Sequence, residues 1–164
     1  MSTEGSFVDD LRGAVDARGA RVAVLVARFN ADITDRLLAG AQEALMDHGV
    51  EADGIDVVRV PGAWELPQAA QRAVEAGRFD AVVTLGCVIR GETPHFDYVC
   101  QEASLGLGAV ARSASIPVVF GVLTTDDDAQ ARARAGEGKD NKGYETAMAA
   151  LEMLTVYRAL AAET

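Results

Sequence analysis

Residues 20–27 of the chain read ARVAVLVA, an almost unbroken run of valine, alanine and leucine. Three further runs of the same kind follow, at residues 55–60 (IDVVRV), 80–85 (DAVVTL) and 117–122 (PVVFGV). Short β-branched runs are typical of strands, and runs that are apolar on both faces are typical of parallel strands covered on both sides. The sequence therefore predicts the four strands of a parallel sheet.

Segments with helical periodicity separate and follow these predicted strands. In the first, which begins at Asp32 or Thr34, apolar residues recur along one face as far as Gly49, a residue suited to the end of a helix. The other helical segments cover residues 65–76, 96–113, 126–135 and 142–162. Because parallel crossovers are almost always right-handed, this alternation predicts a doubly wound, three-layer α/β/α sandwich around a four-stranded parallel sheet.

The first 19 residues do not share this pattern, since they mix glycine with charged side chains. We therefore predict an N-terminal arm over residues 1–19 and a single domain over residues 20–164. Phe7 and Val8 are the apolar exceptions in the arm, and they could pack on a neighbouring chain or on their own domain. A chain of this length can bury a sizeable core without disulfides or a structural metal.

The charge balance excludes some partners. Twenty-five acidic residues against fifteen basic ones give a net charge of −10. Such a field repels nucleic acid and anionic membranes, so we expect neither as a partner. No apolar run approaches the ~18 residues of a membrane helix, and the acidic first twenty residues do not resemble a signal peptide, so we expect a cytoplasmic protein. An anionic substrate would then need a local basic pocket.

Chemically distinctive residues follow the predicted strands, where ligands bind in open parallel sheets. The segments concerned are RFN at residues 28–30, PGAWE at 61–65, GCVIRGETPH at 86–95 and TT at 124–125. Only 5% of the chain is aromatic, yet Phe29 and Trp64 lie in two of these segments and Phe120 lies just before another. Flat rings beside Glu65 favour a slot for a planar heterocycle, although each ring taken alone is more often part of a core.

The loop at residues 91–94 (GETP) precedes a predicted helix, and backbone N–H groups at a helix N-terminus can bind phosphate. A plain helix start, with Thr93 as the cap and Pro94 as the first helical residue, explains the same letters. His95, one of only two histidines, comes next. An imidazole exchanges protons near neutral pH, so His95 is either a proton-transfer group or a structural residue.

Four basic residues within eleven positions are a local exception in this acidic chain: Arg132, Arg134, Lys139 and Lys142. They predict either an anion pocket or a solvated helix face. Cys87 and Cys100 lack the second pair that a zinc site needs. GLGAVA at residues 106–111 is similar to a dinucleotide-binding fingerprint. Such fingerprints occupy a strand-to-helix turn, whereas this segment falls inside a predicted helix, so we do not interpret it as a dinucleotide site.

Taken together, these motifs resemble the 6,7-dimethyl-8-ribityllumazine synthase family. The matching stretches are ARFN at residues 27–30, PGAWELP at 61–67, GCVIRGETPHFDYV at 86–99, PVVFGVLTTD at 117–126, and RAG with NKG at 134–136 and 141–143. The resemblance implies a flavodoxin-like fold and the penultimate step of riboflavin biosynthesis. In that step 5-amino-6-(D-ribitylamino)uracil condenses with 3,4-dihydroxy-2-butanone 4-phosphate, releasing phosphate and water, with no metal or organic cofactor.

The resemblance also implies where the pyrimidine substrate binds. Phe29 and Trp64 would line a slot for its ring. Ala63 and Glu65 would bind the ribityl chain through backbone and carboxylate hydrogen bonds. Main-chain groups of three consecutive residues would bind the pyrimidine: Cys87, Val88 and Ile89. Trp64 stands where the family often has Phe or Tyr, and it keeps a flat ring there.

For the second substrate, the resemblance implies that Glu92 and Thr93 bind the phosphate with Arg134 as its countercharge, and that His95 moves protons. The Glu92 carboxylate would repel phosphate unless it points away and only its backbone contributes. Phe120 and Arg134 would come from the adjacent subunit, so the active site would lie between subunits of a homo-oligomer. Riboflavin synthase is a further candidate partner.

Two other functions stay open at this stage. The chain could retain a flavin or lumazine without turnover, and an assay with both substrates would distinguish this from catalysis. It could instead be mainly a shell protein, because some family members form sixty-subunit capsids while others stop at pentamers. The short connection between RAG and NKG favours the capsid, and light scattering would test the size.

Overall fold

The computed structural model describes residues 15–162. Strands and helices alternate along this part of the chain in the order β1 (Val22–Ala27), α1 (Ala31–Asp47), β2 (Ile55–Val60), α2 (Leu66–Glu75), β3 (Ala81–Ile89), α3 (His95–Ser113), β4 (Val118–Thr125), α4 (Asp128–Ala133) and α5 (Lys142–Ala161). Short 3-10 turns cover Ala52–Gly54, Ala63–Glu65 and Gly138–Asp140. No helix within these residues is long and apolar enough to cross a membrane.

The four strands form one sheet in the order β2-β1-β3-β4, and every neighbouring pair is parallel. In the two inner strands, Val24 of β1 pairs with Val57 of β2 on one side and with Val83 of β3 on the other. Val83 pairs in turn with Val119 of β4. The predicted four-stranded parallel sheet is confirmed.

Helices cover both faces of this sheet. Strand β1 shows why, because alternate side chains point to opposite faces and all six of its residues are buried. Val22, Val24 and Val26 pack into a core with α1, α4 and α5, whereas Ala23 and Leu25 pack into a second core with α2 and α3. The three-layer α/β/α sandwich is therefore confirmed.

Glycines end the first two helices where the periodicity predicts. Gly49 follows α1 and Gly77 follows α2, with φ angles of +101° and +70°. This left-handed conformation is strained for most side chains but not for glycine, which is why it terminates helices. Both helices end at the edge of the sheet where the strands begin. The longer loops, which follow the strands, lie at the opposite edge.

Strands β3 and β4 are longer than predicted. The predicted strand 80–85 continues to Ile89, and the predicted strand 117–122 continues to Thr125. The two extensions pair with each other, from Gly86 with Val122 to Ile89 with Thr125. The prediction of a loop from Gly86 was wrong because pairing with the neighbouring strand offsets the weak strand preference of glycine.

Helix starts also differ from the prediction. Helix α1 begins at Ala31, directly after Asn30, and α2 begins at Leu66 after the 3-10 turn Ala63–Glu65. The short helix α4 begins at Asp128, two residues later than the predicted segment 126–135. It is capped by Asp127, whose carboxylate accepts a hydrogen bond from the Gln130 N–H at 2.8 Å.

Part of the predicted N-terminal arm contacts the core. Ala17 is buried against the α1 side, and its N–H donates to the carbonyl of His48 at 3.0 Å. The rest of the predicted arm, including Phe7 and Val8, lies outside the described residues.

Candidate active site

An open cavity of about 780 Å³ lies at the carboxyl ends of β1, β2 and β3. Nine of the residues singled out by sequence line it: Phe29, Ala63, Trp64, Glu65, Cys87, Val88, Ile89, Thr93 and His95. Six further residues, named above only within longer segments, also line it: Pro61, Gly62, Gly91, Phe96, Tyr98 and Val99. Three loops that are distant in sequence thus meet where open parallel sheets bind ligands.

Hydrogen bonds hold these loops to one another. The Phe29 N–H donates to the Pro61 carbonyl at 3.1 Å, which joins the β1 and β2 loops. The Asn30 side-chain amide donates to the Cys87 carbonyl at 2.8 Å, which joins the β1 loop to the end of β3. Asn30 is also the only residue other than glycine with positive φ, at 60°, among residues 15–162. Asparagine tolerates that conformation better than most residues.

Aromatic side chains stand open at the rim of the cavity. Phe29 is 71% exposed, Tyr98 is 66% exposed and Trp64 is 49% exposed. These rings are not part of the core, although a single ring at a sheet end often is. Exposed rings beside a cavity favour stacking against a flat ligand or contact with another protein surface.

Glu65 is partly committed to its own loop. Its Oε2 accepts a hydrogen bond from the Gly62 N–H at 3.0 Å, which closes the 3-10 turn Ala63–Glu65. An ionised carboxylate has several acceptor sites, so this bond uses only part of the acceptor capacity of Glu65. The turn also places Ala63 and Trp64 on the cavity wall.

The thiol and the backbone carbonyl of Cys87 lie in different surroundings. The side chain is buried in the core with α1 and α5, while its carbonyl accepts from Asn30 at the edge of the cavity. Burial, with smaller effects from Asp32 and Asp128, raises the pKa of the Cys87 thiol to about 11. The thiol therefore stays protonated at neutral pH and is a poor nucleophile.

Helix α3 begins at His95, and its flanking residue Pro94 makes no side-chain cap. The Thr93 hydroxyl accepts a long hydrogen bond of 3.5 Å from the His95 N–H, so Thr93 is a weak cap for this helix start. His95 and Thr93 both face the cavity. Glu92 is exposed and is not among the residues that line it.

Phe120 and Arg134 lie elsewhere on the chain. They line a separate, smaller cavity of about 270 Å³ beside β4 and the start of α5, together with Thr125 and Lys142. Within residues 15–162, the larger cavity has no lysine or arginine in its lining. In the described part of one copy, the exposed rings and His95 therefore line the larger cavity, whereas the cations Arg134 and Lys142 line the smaller one.

The four predicted basic residues do not form one pocket. Arg132 pairs with Asp32 and Asp128, and Lys142 pairs with Glu145 at 3.0 Å. Arg134 donates to a backbone carbonyl, that of Gln130, at 2.9 Å, so its charge has no carboxylate partner in this contact. Lys139 is exposed in the turn Gly138–Asp140.

Two cavity residues could have been found from sequence. Tyr98 and Val99 follow His95 by three and four positions, which places them on the same face of α3. Pro61 and Gly62 carry a weaker signal, since they belong to the segment that follows a predicted strand. Phe96 carries none, because only the folded structure brings it to the cavity.

Comparisons with known proteins agree with this geometry. The sequence profile of the family described as 6,7-dimethyl-8-ribityllumazine synthase matches residues 19–158. The chain is also 51% identical over 146 residues to the 6,7-dimethyl-8-ribityllumazine synthase of Desulfatibacillum aliphaticivorans, covering 89% of this chain and 94% of that protein. The chain belongs to the 6,7-dimethyl-8-ribityllumazine synthase family.

Proposed function

We propose that the chain condenses 5-amino-6-(D-ribitylamino)uracil with 3,4-dihydroxy-2-butanone 4-phosphate in a site that two neighbouring copies complete. Family membership supports the reaction. The observation that carries the shared site is the division of groups between the two cavities. A phosphate substrate needs a cation, and Arg134 lies in the smaller cavity with Phe120, away from His95.

The larger cavity suits the pyrimidine. Phe29 and Trp64 provide flat apolar surface at the rim, and the backbone at the end of β3 provides donors and acceptors in a fixed geometry. The free oxygen of Glu65 and the backbone at Ala63 are placed to bind ribityl hydroxyls. Binding by rigid loops orients the amine before the second substrate reacts.

The chemistry needs proton transfer and a leaving group. The primary amine attacks the butanone C2, and water leaves as the imine forms. Loss of a proton from C3 and of phosphate, with the C4–O bonding electrons, gives an enol that becomes a ketone. The ribitylamino nitrogen then closes the ring with loss of a second water. His95 is the cavity residue suited to moving these protons.

The loop at residues 91–94 receives the phosphate. Gly91 and Thr93 line the cavity directly before α3, where backbone N–H groups favour an anion. Glu92 stays outside the lining, which avoids repulsion between its carboxylate and the phosphate. Arg134 of a neighbouring copy supplies the countercharge, and Phe120 of that copy covers the exposed rings.

An assay with both substrates tests the reaction. Lumazine and inorganic phosphate should form in equal amounts, and neither should form when one substrate is omitted. Tight binding of lumazine with no phosphate release would contradict catalysis and favour a binding protein. The same preparation should contain no monomer, because one copy lacks half of the site.

Assembly size is a separate part of the proposal. The short connection between Arg134 and Lys142 supports a sixty-subunit capsid over a pentamer, and light scattering distinguishes particles that differ about twelvefold in mass. Riboflavin synthase, which would consume the product, is the proposed protein partner, and co-sedimentation with the assembly would test this. A reaction of this kind fits the predicted cytoplasmic location.

A further inference from the structure

We propose that Arg90 is a positioning residue that anchors the first turn of α3, and with it His95, to the end of β4. The starting observation is that α3 is weakly capped, although the helix begins at a residue with a proposed chemical role: Pro94 makes no side-chain cap and the Thr93 hydroxyl accepts from the His95 N–H at only 3.5 Å. A weakly capped helix start frays readily, so further contacts are needed to hold it. The inference rests on the proposed function of His95.

The contacts of Arg90 join three segments. Its backbone N–H donates to the Thr125 carbonyl at 2.8 Å, which ties it to the end of β4. Its guanidinium Nε donates to Asp126 Oδ1 at 3.0 Å, just beyond that strand. A second nitrogen, Nη1, lies 3.5 Å from Asp97 Oδ1 in the first turn of α3. The same group lies 4.4 Å above the ring of Phe96.

On the helix, these contacts lie directly after His95. Phe96 and Asp97 are the next two residues, and Phe96 lines the cavity with His95. A guanidinium that stacks on Phe96 and pairs with Asp97 restrains this first turn of α3 against both rotation about the helix axis and displacement along it. The planar, forked guanidinium can make both contacts at once, whereas a lysine ammonium is a single point charge. Arg90 thus supplements the weak cap that Thr93 provides.

Arg78 offers a matched control at the opposite end of the sheet. Its guanidinium also lies 4.4 Å from a phenylalanine ring, that of the next residue Phe79, and pairs with Asp56 at 2.7 Å. Both arginines are about half exposed, at 49% for Arg90 and 57% for Arg78. Phe79 and Asp56 lie outside the cavity lining, so Arg78 has the same chemistry without a site.

The two arginines should therefore differ in function but not in stability. Exposed ion pairs contribute little to folding, so Arg90→Met and Arg78→Met should unfold at nearly the same temperature. A small displacement of a reacting group, in contrast, can cost up to about a hundredfold in rate. Only Arg90→Met should lose activity.

The experiment compares Arg90→Met, Arg90→Lys and Arg78→Met with the unchanged protein, all as assembled oligomers. Hydrogen–deuterium exchange of the peptide over residues 91–99 should speed up by about threefold or more in Arg90→Met and remain unchanged in Arg78→Met. The kcat should fall about tenfold in Arg90→Met and less in Arg90→Lys, with little change in the KM of the pyrimidine. Asp126→Asn, which removes one anchor and keeps the shape, provides a milder variant if Arg90→Met does not assemble.

Unchanged exchange over residues 91–99 in Arg90→Met would overturn the proposal, whatever the activity. A raised KM for the butanone phosphate with unchanged exchange would assign Arg90 to direct phosphate contact instead. Equal losses of activity in Arg78→Met and Arg90→Met would show that the losses come from lower stability of the protein and not from the position of His95. If the unchanged protein formed no lumazine, the proposed function would fail, while the exchange measurement would still decide what holds α3.

Discussion

The two cavities of this chain carry complementary groups. The larger one joins exposed rings, main-chain donors and His95, whereas the smaller one beside β4 joins Phe120 with Arg134 and Lys142. In our proposal the larger cavity holds the flat heterocycle and moves protons, while the smaller cavity supplies the cation that neutralises the phosphate. Within the described residues of one copy, these two sets of groups lie apart. This separation is the reason we propose that two copies complete each site.

Removing the cation from the smaller cavity should have the largest effect. Arg134→Ala should lower kcat/KM by about a hundredfold to a thousandfold, because the phosphate loses its countercharge both when bound and when leaving. The KM of the butanone phosphate should rise most in steady-state kinetics. Arg132→Ala, two positions earlier and paired with Asp32 and Asp128, is the control. A rise confined to the KM of the pyrimidine would show that Arg134 is misplaced.

Removing the imidazole from the larger cavity should do less harm. His95→Ala should lower kcat by about a hundredfold or less, since positioning of the two substrates provides most of the acceleration. His48→Ala is the matched control, because that ring bonds the Ala44 carbonyl at 2.8 Å on α1, outside the cavity. A kcat near that of the unchanged protein would remove His95 from the chemistry.

Mixing the two inactive variants tests whether the cavities act together across copies. If His95→Ala and Arg134→Ala chains are unfolded, combined in equal amounts and reassembled, about one site in four should receive both intact residues, one from each neighbour. Activity should recover to roughly a quarter of that of the unchanged protein treated alike. A site contained within one chain would give no recovery, because every chain in the mixture lacks one residue.

The smallest effect concerns Cys87. Because burial raises the pKa of this thiol to about 11, its thiolate is scarce at pH 8 and grows only as the pH approaches that value. Iodoacetamide should modify it about a hundredfold more slowly than free cysteine at pH 8, as read by mass spectrometry. Cys87→Ser should retain activity, since the larger cavity uses the backbone there. Rapid modification with loss of activity would contradict that assignment.

The sequence predicts the strands of this sheet better than the residues at which the strands end. Valine-rich runs such as residues 22–26 predict buried strands, and the structure agrees. The last four of the nine residues of β3, from Gly86 to Ile89, were not predicted as strand, because pairing with β4 stabilises that segment and local preference does not. Arg90 and Asp126 are 36 positions apart, so neither residue alone indicates the contact that joins them.

The candidate site divides in the same way. Local patterns on loops and helix starts predict Phe29, Trp64 and His95 at one sheet edge, and the structure places all three around one cavity. The position of Phe96 depends on how α3 packs and was not predicted. Phe120 and Arg134 line the smaller cavity together and lie apart from the larger one. The periodicity of the sequence carries no information on this separation.

Trp64 is the only tryptophan in the chain, and it stands half exposed on the cavity wall. All indole emission of the protein therefore originates at the mouth of one site per copy. A flat ligand stacked on that ring should quench the emission, and a neighbouring copy that covers it should shift the emission to shorter wavelength. Binding of each substrate and assembly of the subunits can thus be followed optically without any label.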